Sequence, residues 1–201
     1  MRAPDGRVSV APPLFLDDLV EAARRWSLST AELQLDLKVP AEAITNAILD
    51  QFARDIGPVR SLFSLSGTDP RALRRLRSAV PSLGVTASCS KRLWGADTAS
   101  EFERRLEAVL ADSDGVELIW VNHRVLQAAT GAGFDLVRSA HERGVGVDTG
   151  TIDAGGEHSE AAMDLALSAG VDRITTNSPC ALAARVSEQA PAAVRSTVAA
   201  S

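Results

Sequence analysis

Residues 32–40, ELQLDLKVP, alternate along the chain: Leu33, Leu35 and Leu37 fall on one side, Gln34, Asp36 and Lys38 on the other, until Pro40 stops the run. A period of two is that of a half-buried strand. Elsewhere the pattern is a short apolar run followed by a longer segment of helical period. An amphipathic helix over 13–26 precedes the strand at 33–38, and a helix over 41–55 follows it. Further strands are expected at 59–65, 83–88, 115–122, 144–150 and 171–177, and helices at 69–78, 99–111, 132–142, 158–168 and 178–188. Ser100 and Glu103 have capping-box spacing, and Ser178 with Pro179 has the form of an N-cap followed by a first-turn proline. A turn is expected at Asp5-Gly6, and fraying after Pro191.

Strict alternation of strands and helices predicts a parallel sheet with right-handed crossovers. No Gly-x-Gly-x-x-Gly or Walker-type loop follows a strand, so a nucleotide-binding doubly wound sheet lacks its signature. The expected fold class is therefore α/β, a (β/α) TIM-type barrel. About six βα units are present where a closed barrel has eight, so the barrel is incomplete. The expected division is an N-terminal turn or extension at 1–12, a partial barrel at 13–190 and a tail at 191–201. An open sheet has two raw edges, which gives a route to self-association.

Composition narrows the function classes. In 201 residues, 45% are hydrophobic and 23% charged, as in an ordinary globular domain. The net charge of -5 gives no reason to expect nucleic acid as a partner. Arg71, Arg74, Arg75 and Arg77 fall on one helix and read as a solvated face. Cys89 and Cys180 are far apart and form no metal-type spacing. A reducing compartment follows. With no signal-like apolar run at the start and no apolar stretch long enough for a transmembrane segment, a cytoplasmic location is expected.

In a barrel, chemistry sits where strands end. Here those ends carry Asp36 and Lys38; Ser64 and Ser66; Ser88, Cys89 and Lys91; Trp120, Asn122 and His123; Asp148, Thr149, Thr151 and Asp153; and Thr175, Thr176 and Asn177. Structural parallel strands are apolar to their ends, so this concentration of polar groups marks a site. Each residue also has a plainer role. Thr176, Asn177 and Ser64 are equally suited to capping, and Asp148 to shaping a loop. Trp120 suits the core as well as a barrel mouth. Cys89 reads as an unreactive small residue, and His123 as a surface residue. Asp36 and Lys38 are either half of an active site or a solvated salt pair.

The order of segments resembles the glycerophosphodiester phosphodiesterases. PPLFLDDLVEAARRW leading into LQLDLK is similar to that family's Pro-x-Leu helix and Glu-x-Lys strand. VRSLFSL with DPRALRRLRSAVPSLGV resembles its next unit, FDLVRSAHERGVGVDTGTID its penultimate one, and ALSAGVDRITTNSPCAL its last. The resemblance covers about residues 12–187. It implies a metal-dependent barrel that cleaves glycerophosphodiesters to an alcohol and sn-glycerol 3-phosphate. It places Asp36 as a ligand to Mg²⁺ or Ca²⁺ and Lys38 as the catalytic cation facing the phosphate. Asn122, Thr149 and Asn177 are expected beside Lys38 as substrate contacts.

Departures are equally specific. Asp36 stands where the family has Glu, Gly150 where it has Trp, and Leu62 where it has Ser. The family's first two strands, with His-Arg-Gly, Glu-x-Asp and a second His, are absent, so the sequence reads as a truncated or degenerate member. Two alternatives follow: a non-catalytic phosphate- or partner-binding barrel, and a lyase using Lys38 as a Schiff-base amine.

Overall fold

In a computed structural model, which describes residues 16–25, 32–113, 115–156 and 159–189, the alternating stretch forms strand β1, Leu33–Leu37. Its leucines pack outward against helices α1 (Leu16–Arg25), α2 (Asn46–Ile56) and α3 (Pro70–Ala79). Strands β2 (Phe63–Gly67), β3 (Gly84–Ser88), β4 (Leu118–Asn122), β5 (Gly146–Gly150) and β6 (Arg173–Ile174) follow. All pair in parallel and in chain order, β1-β2-β3-β4-β5-β6. The remaining helices are α4 (Ser90–Leu93), α5 (Ala99–Asp112), α6 (His123–Gly131), α7 (Leu136–His141), α8 (Ser159–Ala169) and α9 (Pro179–Gln189). The result is a curled half-barrel, an incomplete (β/α) barrel with six strands. None of the described helices is long and apolar enough to cross a membrane.

The core lies between sheet and helices, where burying apolar side chains stabilises by about 25 cal/mol per Å². It divides in three. One cluster joins Phe63, Leu65 and Val85 to α1–α3; another joins Ile119, Val121 and Val147 to α5–α7. Val116 packs against both. A small third cluster, with Met163 and Ala166 buried in α8, holds Ile174 and Leu182 beside them.

Several boundaries differ from expectation, each for a local reason. Residues 57–62 form a 3-10 turn, with Pro58 in its first turn, so β2 starts at Phe63 rather than at 59. The segment at 41–55 opens as a 3-10 turn, and Thr45 then caps α2 by accepting from the Ile48 N–H. Thr98, not Ser100, caps α5, its hydroxyl accepting from Glu101 N–H at 3.3 Å. The helix expected at 132–142 begins only at Leu136, after a turn at Gly133 whose φ of 73° favours glycine, and it is preceded by an unexpected helix, α6. β6 is only two residues long. The expected turn at Asp5-Gly6, the extension at 1–12 and the tail at 191–201 lie outside the described residues.

Candidate functional site

The side chains of β1 opposite its leucines face the concave side of the sheet. Gln34 shows this directly: its amide donates to the Thr86 hydroxyl of β3 at 3.3 Å, passing over β2. Register carries the same face along the sheet, pairing Gln34 with Ser64, Asp36 with Ser66, Ser66 with Thr86 and Trp120 with Asp148. At the C-terminal ends of the strands this face opens into a cavity of about 280 Å³. Lys38 and Asp36 line it, with Gln34, Ser66, Trp120 and Thr175 among the other walls.

Asp36 and Lys38 are paired with each other, Oδ2 to Nζ at 2.6 Å, with side chains 51% and 77% exposed. A wet pair of this kind contributes roughly 0–1 kcal/mol to stability. Its structural cost of rearrangement is accordingly small, and the ammonium can turn from Asp36 to an incoming anion.

The other expected contacts are placed elsewhere. Asn122 caps α6, its side chain accepting from Arg124 N–H at 3.0 Å. Thr149 is fully buried and donates to the Val121 carbonyl at 3.1 Å, on the side of β5 that packs against the helices. Its parity is that of Val147, so it turns away from the concave face. Asn177 is held by Asp153, which accepts from the Asn177 backbone N–H at 2.6 Å and its side-chain amide at 2.9 Å. Those bonds hold the Asp153 carboxyl below its ordinary range.

Asp148 and Thr175, counted among the polar strand ends but not among the expected ligand contacts, are bonded to each other. Asp148 is 1% exposed and receives the Thr175 hydroxyl on Oδ1 at 3.0 Å. Its Oδ2 is enclosed, with no hydrogen-bond partner among the described residues. Burial raises its carboxyl above the ordinary value of 3.8; the Thr175 hydrogen bond and the Arg173 charge oppose that shift without cancelling it. The sequence signal was parity: Asp148 neighbours Val147 in the strand and must point to the opposite face.

Cys89 is buried, donates to the Trp120 carbonyl at 3.3 Å, and has its thiol pushed up to about 12 by burial. His123, half-buried at the start of α6, does not line the cavity. The arginines of α3 make specific contacts: Arg71 with Glu42 at 2.8 Å, Arg75 with the Ala41 carbonyl at 3.3 Å, and Arg74 and Arg77 with the carbonyls of Asp112 and Gly115.

A divalent cation needs several converging oxygens, normally with more than one carboxylate. Asp36 is the carboxylate of the cavity lining, and it faces an ammonium. Among the described residues no group of three or more His, Cys, Asp or Glu could hold a metal ion. The described residues therefore do not fit the Mg²⁺ or Ca²⁺ that the resemblance implies.

No protein-family model and no curated protein matches this sequence. In fold, however, the chain is similar to solved structures. A glycerophosphodiester phosphodiesterase from Parabacteroides distasonis matches with a TM-score of 0.62 at 16% identity, over 88% of this chain and 65% of that one. A second such structure from the same organism gives 0.52 at 18% identity, over 86% and 56%. A Galdieria sulphuraria protein assigned the same activity gives 0.59 at 16% identity, over 84% and 63%. The chain thus spans less than two thirds of the length of each, and the likeness is one of fold.

Proposed function

We propose that this chain is a glycerophosphodiester phosphodiesterase-like barrel that binds a phosphate ester at its C-terminal mouth, with Lys38 as the phosphoryl contact. The observation that carries this reading is the placement of Lys38: the cation of the cavity lining, at the end of a parallel strand, in a fold shared with phosphodiesterases. Once turned from Asp36, the ammonium matches an anionic ligand, and the neutral hydroxyl and amide groups of the lining are left to bond its other oxygens. Asp36 holds Lys38 over the cavity until the ligand arrives.

Hydrolysis to an alcohol and sn-glycerol 3-phosphate requires an acid–base pair. No histidine lines the cavity, and Asp36 is its carboxylate. The function proposed for the chain's own residues is therefore binding and orientation. A Schiff-base role is disfavoured because activation of a lysine amine calls for apolar enclosure or a neighbouring cation, whereas Lys38 is mostly exposed beside an anion.

Calorimetry with glycerol 3-phosphate, in chelator, is the test. Binding is expected without metal, with Lys38→Met weakening it about tenfold or more, the scale of a charge-assisted hydrogen bond. Unchanged affinity in Lys38→Met would remove the reading. Metal-dependent turnover of glycerophosphocholine that is lost on Asp36→Ala would replace binding with catalysis.

A further inference from the structure

We infer that the outer groove between α6 and α8 binds a free single-chain amphiphile of the fatty-carboxylate class, its anionic head on Arg124 and its hydrocarbon chain along α8. The groove lies in the helix layer, away from the barrel mouth, and the inference is independent of the Lys38 reading.

Two cavities, of about 550 and 310 Å³, lie between these helices. Thr130 and Leu165 line both, so the cavities adjoin along one groove. The larger opens between His123, Arg124 and Gln127 of α6 and Ala161 and Ala162 of α8. The smaller ends against Phe134, which is stacked on Phe102 with ring centroids 5.9 Å apart. Arg124 and Phe134 thus stand at opposite ends of α6, a helix of about 13 Å at 1.5 Å per residue.

The walls differ in what they offer. In the larger cavity α8 contributes Ala161, Ala162 and Leu165, which are apolar. The acids of α8, Glu160 and Asp164, are engaged by Arg185 of α9. Towards the Phe134 end the polar groups are already satisfied. The Thr130 hydroxyl donates to the Leu126 carbonyl at 3.0 Å, and the carbonyls of Ala128, Ala129 and Thr130 accept from the N–H groups of residues 132–134. Asp135 accepts from Arg138 N–H at 3.0 Å, and the Ser168 hydroxyl donates to the Leu165 carbonyl at 3.1 Å. At the other end, the side chains of Arg124 and Gln127 have no hydrogen-bond or ion-pair partner among the described residues. His123 Nδ1 is enclosed and also lacks one there.

This pattern selects the occupant. An extended peptide brings a donor and an acceptor at each residue, and helix walls with satisfied backbones leave them unpaired. A hydrocarbon chain needs no such partners and gains by leaving water. One anionic head matches the Arg124 guanidinium, which stands in the first turn of α6, where the helix dipole favours negative charge.

Calorimetry on the whole chain with hexanoate, octanoate and decanoate, kept below micelle formation, is the test. One site per chain is expected, with affinity rising about two- to fourfold for each methylene, up to the value of a fully buried CH₂. Decyltrimethylammonium, with the head charge reversed, should bind at least about tenfold more weakly than decanoate, the scale of a charge-assisted hydrogen bond. Arg124→Gln should weaken decanoate by about the same factor. Ala161→Phe, which fills the groove from an exposed position, should abolish the chain-length dependence. Circular dichroism checks that both variants fold; if one does not, the other and the charge reversal carry the test. Affinity that does not grow with chain length, equal binding of decyltrimethylammonium, decanoate binding that survives Arg124→Gln or Ala161→Phe, or no binding at all overturns the inference. Capture by phosphatidylglycerol vesicles without binding of the monomers overturns it too, by making this face a membrane contact. Lys38→Met should leave decanoate affinity unchanged; its loss there would place the amphiphile at the barrel mouth and overturn the groove.

Discussion

Arg173, the first residue of β6, reaches Glu32, the residue before β1, at 3.3 Å. The pair links the first and last strands, 141 residues apart, over a sheet in which those strands have no partner in common. Glu32 also accepts from the Ser64 hydroxyl, so the bridge is anchored on β2 as well.

That pair should be measurable but modest, because its side chains are 37% and 41% exposed and solvent screens them. A double-mutant cycle of Glu32→Gln and Arg173→Gln is expected to give a coupling of about 0.2–1 kcal/mol at low salt. The coupling should shrink in about 1 M salt, where the screening length is near 3 Å. A coupling of zero at low salt would mean that the two strands are not held together by this contact.

Asp148 gives a pH-dependent prediction. Its folded-state carboxyl sits above the unfolded value of 3.8, chiefly through burial. Below 3.8 both states are protonated and burial carries no charge penalty. As pH rises through the folded value, the unfolded state ionises more readily and stability is lost. Asp148→Asn should therefore be more stable than the wild type in urea at neutral pH, and the gain should disappear in acid. The opposite trend would place an unseen cation beside Asp148.

Gly150 is a packing constraint. A methyl group there would sit 2.6 Å from the Thr175 carbonyl oxygen and 2.7 Å from its Cβ, neither of which can swing aside. Gly150→Ala is expected to cost about 1–3 kcal/mol, the range for overpacking. Gly131→Ala is the contrast: its added Cβ meets nothing within 4 Å, and it lies in α6. It should be neutral or gain up to about 1 kcal/mol. Urea midpoints decide both.

The two thiols should separate cleanly. Cys180 is exposed, while Cys89 is buried with its thiol pushed up to about 12. A thiol reagent at mildly alkaline pH should titrate one cysteine in the native chain and both after unfolding. Two fast native equivalents would show that the β3–β4 region opens readily.

The sheet and the position of its cavity were legible because patterning fixes them. Leu33, Leu35 and Leu37 put Asp36 and Lys38 on the concave face, and the structure keeps them there. Residue type was a poorer guide at the other strand ends. Thr149 looks as polar as Thr175, but strand parity turns it into the helix layer, where its hydroxyl satisfies a carbonyl. Asn122 and Asn177 were drawn off by local partners, one by a helix N-terminus and the other by Asp153. Short elements escaped as well. Four-residue α4 leaves too few positions to show a period, and α6 starts so directly after β4 that no loop announces it.

The sequential strand order has a consequence for how such a chain is built. Every strand bonds to its neighbours in the chain, so each βα unit is cemented mainly to the one before and the one after it. Detaching a terminal unit exposes one new edge and leaves the other pairings as they were. Register is therefore set locally between consecutive units, whereas the mouth is a joint product of them all, its wall running from Lys38 after the first strand to Thr175 after the last.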